Sequence, residues 1–389
     1  MLKRGTNFIK RLVFKALEAT KPILPTHMQF PTLIKTYLPW IIKHPGFIPS
    51  LKRLIKGYAQ SSSLRKLELK RGVKVPPALI ISITSRCNLH CAGCYAAATG
   101  TLCPGNAKSS LGIDQWRTII REASDMGVFS FIIAGGEPFL TRNLLSLSED
   151  FPDRLFVIFS NGTLLNDDEF HRLRRLRNTV VVVSLEGDQE MTNARRGAGV
   201  HKKVLKTIRK LDQNGIISGI SATITRKNYS YWMDEKNIDA LIAKGVHFMF
   251  FLEYIPVDND MELMLTEEEN KTFRDQVLYY RETKQISLIH SPGDEELMGG
   301  CVSAGRGFAH ITPQGDLTPC PVSNIATHNL KRTSLREGLK SELFKIIRDN
   351  EHLLETEGTP CALFAHPEEV ELIAKEVCAY KTGGATWYS

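Results

Sequence analysis

The sequence predicts an α/β fold, a partial barrel of six strand–helix units between a basic helical extension and a small C-terminal α+β domain. Three observations carry that expectation. From Ala78 to Glu282, short apolar, β-branched runs alternate with segments of helical periodicity. Val180–Val183 is an unbroken valine run, as a parallel strand buried on both faces requires. Charge is divided unevenly. Residues 1–75 hold sixteen Lys or Arg against Glu18 and Glu68, a net of +14 in a chain whose total is +8, so residues 76–389 carry −6.

Taken in order, Phe8, Leu12, Val13, Ala16 and Leu17 recur at helical spacing, and Pro22 and Pro25 end that segment. Apolar-plus-basic stretches follow at Leu33–Lys43 and Phe47–Tyr58, and Ser61–Ser63 reads as a linker. Strands are expected at Ala78–Thr84, Phe129–Ile133, Leu155–Ser160, Val180–Val183, Ile217–Thr225 and His247–Glu253. Helices are expected at Gln115–Met126 with Asp114 as its cap, at Asp167–Leu176, at His201–Asn214 closed by Gly215, near Ile238–Lys244 and at Glu267–Glu282. Right-handed connection of six such units makes a partial (β/α)6 TIM-like barrel, whose chemistry gathers at the C-terminal strand ends. The expected boundaries are 1–75 for the extension, 76–285 for the barrel and 286–389 for the last domain.

With 42% hydrophobic and 24% charged residues, the composition is that of a soluble globular protein. No apolar run reaches bilayer length, and Lys10, Arg11 and Lys15 interrupt any secretory core, so a cytoplasmic location is expected. Basic character confined to the extension argues against a nucleic-acid partner. Two readings of the extension stay open: an amphipathic segment on an anionic membrane surface, or a helical cap packed over the barrel.

Cys87, Cys91 and Cys94 stand at C-x3-C-x2-C spacing on the loop after the first expected strand. Three thiolates on one loop can hold three corners of a [4Fe–4S] cube and leave the fourth iron open. The alternative is zinc, with His90 or a remote residue completing the set. Position favours the cube, because a structural zinc loop seldom sits at the catalytic end of a parallel sheet.

The triplet resembles the cluster loop of the radical S-adenosylmethionine (SAM) superfamily, and the resemblance extends over about 77–282. It implies a SAM-binding [4Fe–4S] cluster, reductive cleavage of SAM to a 5′-deoxyadenosyl radical, and a one-electron donor such as flavodoxin or ferredoxin. An aromatic residue commonly precedes the third cysteine; Gly93 stands there, with Tyr95 as the alternative packing group. Gly135-Gly136-Glu137-Pro138 resembles the family's GGEP motif, which implies contact with the SAM amino group. Ser160 and Asn161 end the third strand, and Ser184 and Glu186 the fourth, where the family places ribose contacts. Arg196 aligns with the arginine that meets the SAM carboxylate, while Arg195 reads as a solvated surface residue.

Cys301, Gly315 and Cys320 show C-x13-G-x4-C spacing around an expected β-hairpin with a Gly315-Asp316 turn. This resembles the SPASM/twitch extension of radical SAM enzymes and implies an auxiliary [4Fe–4S] cluster. Its ligands would be Cys301, Cys320 and Cys361, with Cys378 as the fourth; one zinc or buried free thiols are the alternatives. Cys103 has no expected partner and reads as structural. The expected function is radical modification of an unknown substrate, by default a peptide. A lipid or isoprenoid at the membrane and a non-catalytic iron–sulfur or zinc scaffold are the alternatives. Glu253 and Tyr254, at the sixth strand's end, face either a cleft or the edge of the core.

Overall fold

A computed structural model describes residues 30–102, 110–256, 260–355 and 360–383, with side chains from residue 37 onward. Cys103 and the Phe8–Leu17 stretch lie outside the described residues. Seven parallel strands run in sequence order: β1 (Ala78–Thr84), β2 (Ser130–Gly135), β3 (Leu155–Ser160), β4 (Thr179–Ser184), β5 (Ser218–Ile224), β6 (Phe248–Glu253) and β7 (Ser287–Ser291). The first six are the strands expected from sequence, within two residues at each end. β7 adds a seventh parallel strand beside β6, in register from Phe248 against Ser287. Two antiparallel strands, β8 (Phe308–Ile311) and β9 (Asp316–Thr318), form the expected hairpin through Thr312–Gly315. β8 pairs in parallel with β1, so the C-terminal hairpin prolongs the barrel sheet past its first strand.

Strand alternation divides the side chains. Ile81, Ile133, Ile158, Val181, Ile220 and Phe251 point outward and are fully buried beneath the helices. Phe159 and Phe250 belong to the opposite face and meet edge-on across the lumen at 5.2 Å. The valine run is buried on both faces: Val181, Val182 and Val183 are all at 0% exposure. Helix Ile113–Met126 begins two residues before the expected Gln115. Its N-cap is Gly112, whose N–H is taken by Gln115 Oε1, so Asp114 lies in the first turn rather than at the cap.

The described part of the extension behaves as a cap. Helices Phe30–Lys43 and Ile48–Lys70 cross the barrel at the N-terminal strand ends. Trp40, Ile41 and Phe47 form a buried cluster with Ile217, and Trp40 meets His247 edge-on at 5.8 Å. Burial of each such side chain stabilises by about 2 kcal/mol. Ser61–Ser63 is not a linker; it lies mid-helix, where Ser61 is fully buried and Arg65 donates to Gly127 O at 2.7 Å. Only a glycine at 127 permits that approach, since a Cβ there would lie 2.6 Å from Ser61 O. For these two helices the apolar residues Trp40, Ile41 and Phe47 pack against protein, as the cap reading expects, while the Phe8–Leu17 stretch lies outside the described residues. No helix among the described residues is long and apolar enough to cross a membrane.

A buried histidine joins the hairpin to the barrel. His310 on β8 contacts Ser82 Oγ of β1 at 2.8 Å and Thr318 Oγ1 of β9 at 2.7 Å. Thr318 donates its own proton to Cys320 O, so it accepts from His310 Nδ1–H, leaving Nε2 to accept from Ser82. Burial drives the His310 pKa down to about 3. The unfolded chain takes up a proton near pH 6.5 that the folded chain refuses. His310 therefore stabilises the fold fully above that pH and progressively less as pH falls towards 3. Acidification from pH 7 to 5 is expected to remove roughly 2 kcal/mol through this residue. Urea unfolding of His310→Gln should show an acid loss smaller by that amount; an identical loss would overturn the assignment.

Candidate functional site

The cluster loop begins where β1 ends and is fastened to the end of β2. Gly136 N donates to Thr84 O at 2.9 Å, and Glu137 N donates to Arg86 O at 2.8 Å. Gly135 has φ +103, in the left-handed region that disfavours side chains. At Gly136 the reason for glycine is space, since a Cβ would stand 2.0 Å from Arg86 O. Tyr95 packs its phenol against the backbone of Gly135, and burial raises its pKa.

Glu137 is buried and committed within the protein. Its Oε1 accepts from Ser160 Oγ at 2.8 Å and Phe139 N at 3.1 Å, and its Oε2 from Asn161 N at 2.7 Å. Burial raises its pKa, and the three donors oppose that rise. Asn161 reaches back to the cluster loop, donating to Asn88 Oδ1 at 2.8 Å, with its Nδ2 4.0 Å from Cys87 Sγ. Asn88 in turn donates to Thr163 Oγ1 at 3.0 Å. Ser160 and Asn161 therefore brace the loop. Ser184 is half-exposed on the lumen side, with Ser221 Oγ 3.5 Å away.

On the opposite side, Glu186 at the end of β4 holds Arg196 through Nε at 2.8 Å and Nη2 at 2.5 Å. The second carboxylate oxygen accepts from Thr223 N at 3.0 Å. So fixed, Arg196 places Nη1 3.8 Å from Cys91 Sγ. Burial raises the Cys91 pKa, and the Arg196 cation is the largest influence against it. Arg195 is not a solvated surface residue. Its side chain is 16% exposed, Nη2 donates to Gly93 O at 3.1 Å, and its carbonyl accepts from Ala92 N at 2.9 Å. It closes helix Gln189–Arg196 beside Arg196, and no local sequence signal distinguishes it from a solvated arginine. Asn228, which carries no motif, braces the same corner by donating to Glu186 O and Thr223 O, both at 2.9 Å.

Glu253 proves to be a core-edge residue. Glu253 pairs with His290 Nε2 at 2.7 Å and with Asn270 on helix Glu267–Thr283, on the outer face of the sheet. Tyr254 is 2% exposed.

In the C-terminal region, Cys301 and Cys320 are buried, and Cys361 caps the short helix Ala362–Ala365. The three thiols lie near enough to influence one another electrostatically. Burial and then the neighbouring thiols raise Cys320 well above its ordinary range, and burial pushes Cys361 up to about 11. Cys378 stands apart, exposed, at φ +51 just beyond helix Pro367–Glu376.

Both cysteine groups fit iron–sulfur cubes better than zinc. Zinc–sulfur bonds of about 2.3 Å bring the ligand sulfurs of one ion within about 4 Å of each other. Among the described residues, three or more His, Cys, Asp or Glu ligand atoms come within 4.8 Å of one another only at His352, His366 and Glu369. His90, the candidate zinc ligand, is exposed. Thiols of one group that neighbour each other without closing to zinc-ligand distances suit a cube, whose larger size sets its ligand sulfurs further apart.

Comparison with known proteins agrees. Residues 81–236 match the radical SAM superfamily. The AdoMet-dependent heme synthase of Methanosarcina barkeri is 24% identical over 306 residues, 72% of this chain and 86% of that protein. The PqqA peptide cyclase of Rhodopseudomonas palustris is 25% identical over 76% of this chain and 80% of its own. Streptococcus suis SuiB, solved with its precursor peptide SuiA, shares the fold at TM-score 0.61 and 18% identity, over 78% of this chain and 71% of that one. Residues 81–236 thus carry a radical SAM domain, the domain of enzymes that use S-adenosylmethionine and a [4Fe–4S] cluster, and over 72% of its length the chain is similar to an AdoMet-dependent synthase.

Proposed function

We propose that Cys87, Cys91 and Cys94 hold the SAM-binding cluster and that the enzyme modifies a peptide. The observation that carries this reading is the Glu186–Arg196 pair, which aims a fixed guanidinium at the mouth of the thiol triplet. When bound, cluster and SAM together supply a primary carbon radical able to take hydrogen from an unactivated C–H bond. The chain's own residues bind and orient. Arg196 offers Nη1 to the SAM carboxylate while Glu186 keeps the side chain from turning away. Backbone groups of Gly135 and Gly136 face the amino group, with Glu137 holding the β2 and β3 ends together. Ser184 is the hydroxyl left for ribose.

A peptide is favoured as substrate by the match to a peptide cyclase and by the fold shared with SuiB. The lumen accords with an apolar side chain: Phe159 and Phe250 are half-buried, and Leu252 is exposed at the C-terminal end of β6. A tetrapyrrole is the second reading, favoured by the heme synthase match over 86% of that protein.

The test is anaerobic. Chain reconstituted with iron and sulfide, reduced with dithionite and given SAM is expected to release 5′-deoxyadenosine. Cys94→Ala should release none and should lose about four of about eight irons per chain. Equal release by Cys94→Ala, or zinc in place of iron, would sink the proposal. Stimulation of turnover by a precursor peptide, or by a porphyrin, separates the two substrate readings.

A further inference from the structure

We propose that Glu295 is the fourth protein ligand of the auxiliary cluster, beside Cys301, Cys320 and Cys361, in the place that the family resemblance gives to Cys378. The proposal rests on reading those three cysteines as cluster ligands. Glu295 lies on the short turn of helix Gly293–Glu296 directly after β7. Gly300 N donates to Glu295 O at 2.9 Å, folding the chain back so that residues 295 and 301 come together. The carboxylate is aimed by two donors: Ser291 Oγ at 2.8 Å to Oε1, and Val302 N, the residue after Cys301, at 3.3 Å to Oε2. Each oxygen keeps a lone pair beyond those bonds.

The charge around this carboxylate explains what it awaits. It faces the Cys301 thiol directly and the Cys361 thiol beyond it. Its own turn contributes another acid, Asp294, and among the described residues no salt bridge reaches it. A carboxylate held beside the Cys301 and Cys361 thiols, with no ion pair of its own among the described residues, is repelled by a thiolate that forms at either one. The arrangement becomes favourable once iron occupies the shared space, because carboxylate oxygen and thiolate sulfur are both ligands for it. Cys378, by contrast, faces solvent at the far end of its helix. With four protein ligands the cluster has no iron free for substrate, which suits it to passing electrons rather than to binding the molecule being modified.

The test uses the full chain with Cys87, Cys91 and Cys94 all replaced by alanine, reconstituted anaerobically, so that the auxiliary cluster is read alone. About four irons per chain are expected. The reduced cluster's electron paramagnetic resonance spectrum should not move when cyanide is added, because no iron is open. Cys378→Ser should keep both the iron and that insensitivity. Glu295→Gln, which preserves size and the Val302 hydrogen bond, should make the spectrum shift with cyanide, and Glu295→Cys should abolish the shift again. Sensitivity in the parent chain, or sensitivity appearing with Cys378→Ser and not with Glu295→Gln, overturns the ligand assignment alone. Fewer than one iron per chain in a parent whose circular dichroism shows it folded overturns the cluster reading as well.

Discussion

Gly136→Ala is expected to lower SAM cleavage by about a hundredfold or more while leaving the chain folded. A methyl at this position would stand 2.0 Å from Arg86 O and 2.6 Å from Arg86 C, both backbone atoms that no rotamer change can move aside. Relief requires the β2 end and the cluster loop to part. That breaks the bond from Glu137 N to Arg86 O and displaces Cys87, the next residue. A shift of about 1 Å in a positioning element commonly costs on the order of a hundredfold in rate. Iron at the Cys87 site should fall with activity, whereas iron at the C-terminal cysteines should stay. Retained cleavage and a full iron count would show that the loop is not held as described.

Glu186→Ala should destabilise the metal-free chain by about 3–5 kcal/mol, the usual result of removing one partner of a buried ion pair. Glu186 is 2% exposed and Arg196 13%, so the stranded guanidinium has little access to water. Glu186 also accepts from Thr223 N, and its loss leaves that donor on β5 unsatisfied. In urea unfolding, Glu186→Ala combined with Arg196→Ala should cost clearly less than the two single changes added together. Strict additivity would mean the pair is not a unit. SAM binding should weaken in both single variants, through loss of the carboxylate contact in one and loss of its orientation in the other.

Much of the catalytic end was legible because its residues are local in sequence. Cys87, Cys91 and Cys94 share one loop, Gly135 to Glu137 share one strand end, and periodicity places both at the same edge of the sheet. Residues whose purpose is to hold others were not legible. Arg195 looked like surface charge because its partners, Gly93 O and Ala92 N, lie a hundred residues away. Ser160 and Asn161 were read as ribose contacts, yet their polar atoms serve Glu137 and Asn88, a choice that depends on which strands become neighbours. Ser61–Ser63 looked like a linker for a similar reason, since small polar residues mark loops unless a neighbouring backbone requires them small.

By itself the sequence determined what acts over short range: strand and helix periods, the thiol spacing on the cluster loop, and the glycines at the end of β2. Tertiary structure alone decided which side chains are occupied by the protein and which remain for ligands. It pressed the helices Phe30–Lys43 and Ile48–Lys70 onto the N-terminal end of the barrel, seated β8 against β1, and set Glu295 beside Cys301 while leaving Cys378 exposed. The physical reason is that hydrogen bonding, burial and ion pairing depend on distance in space, and strand order, not residue number, sets that distance.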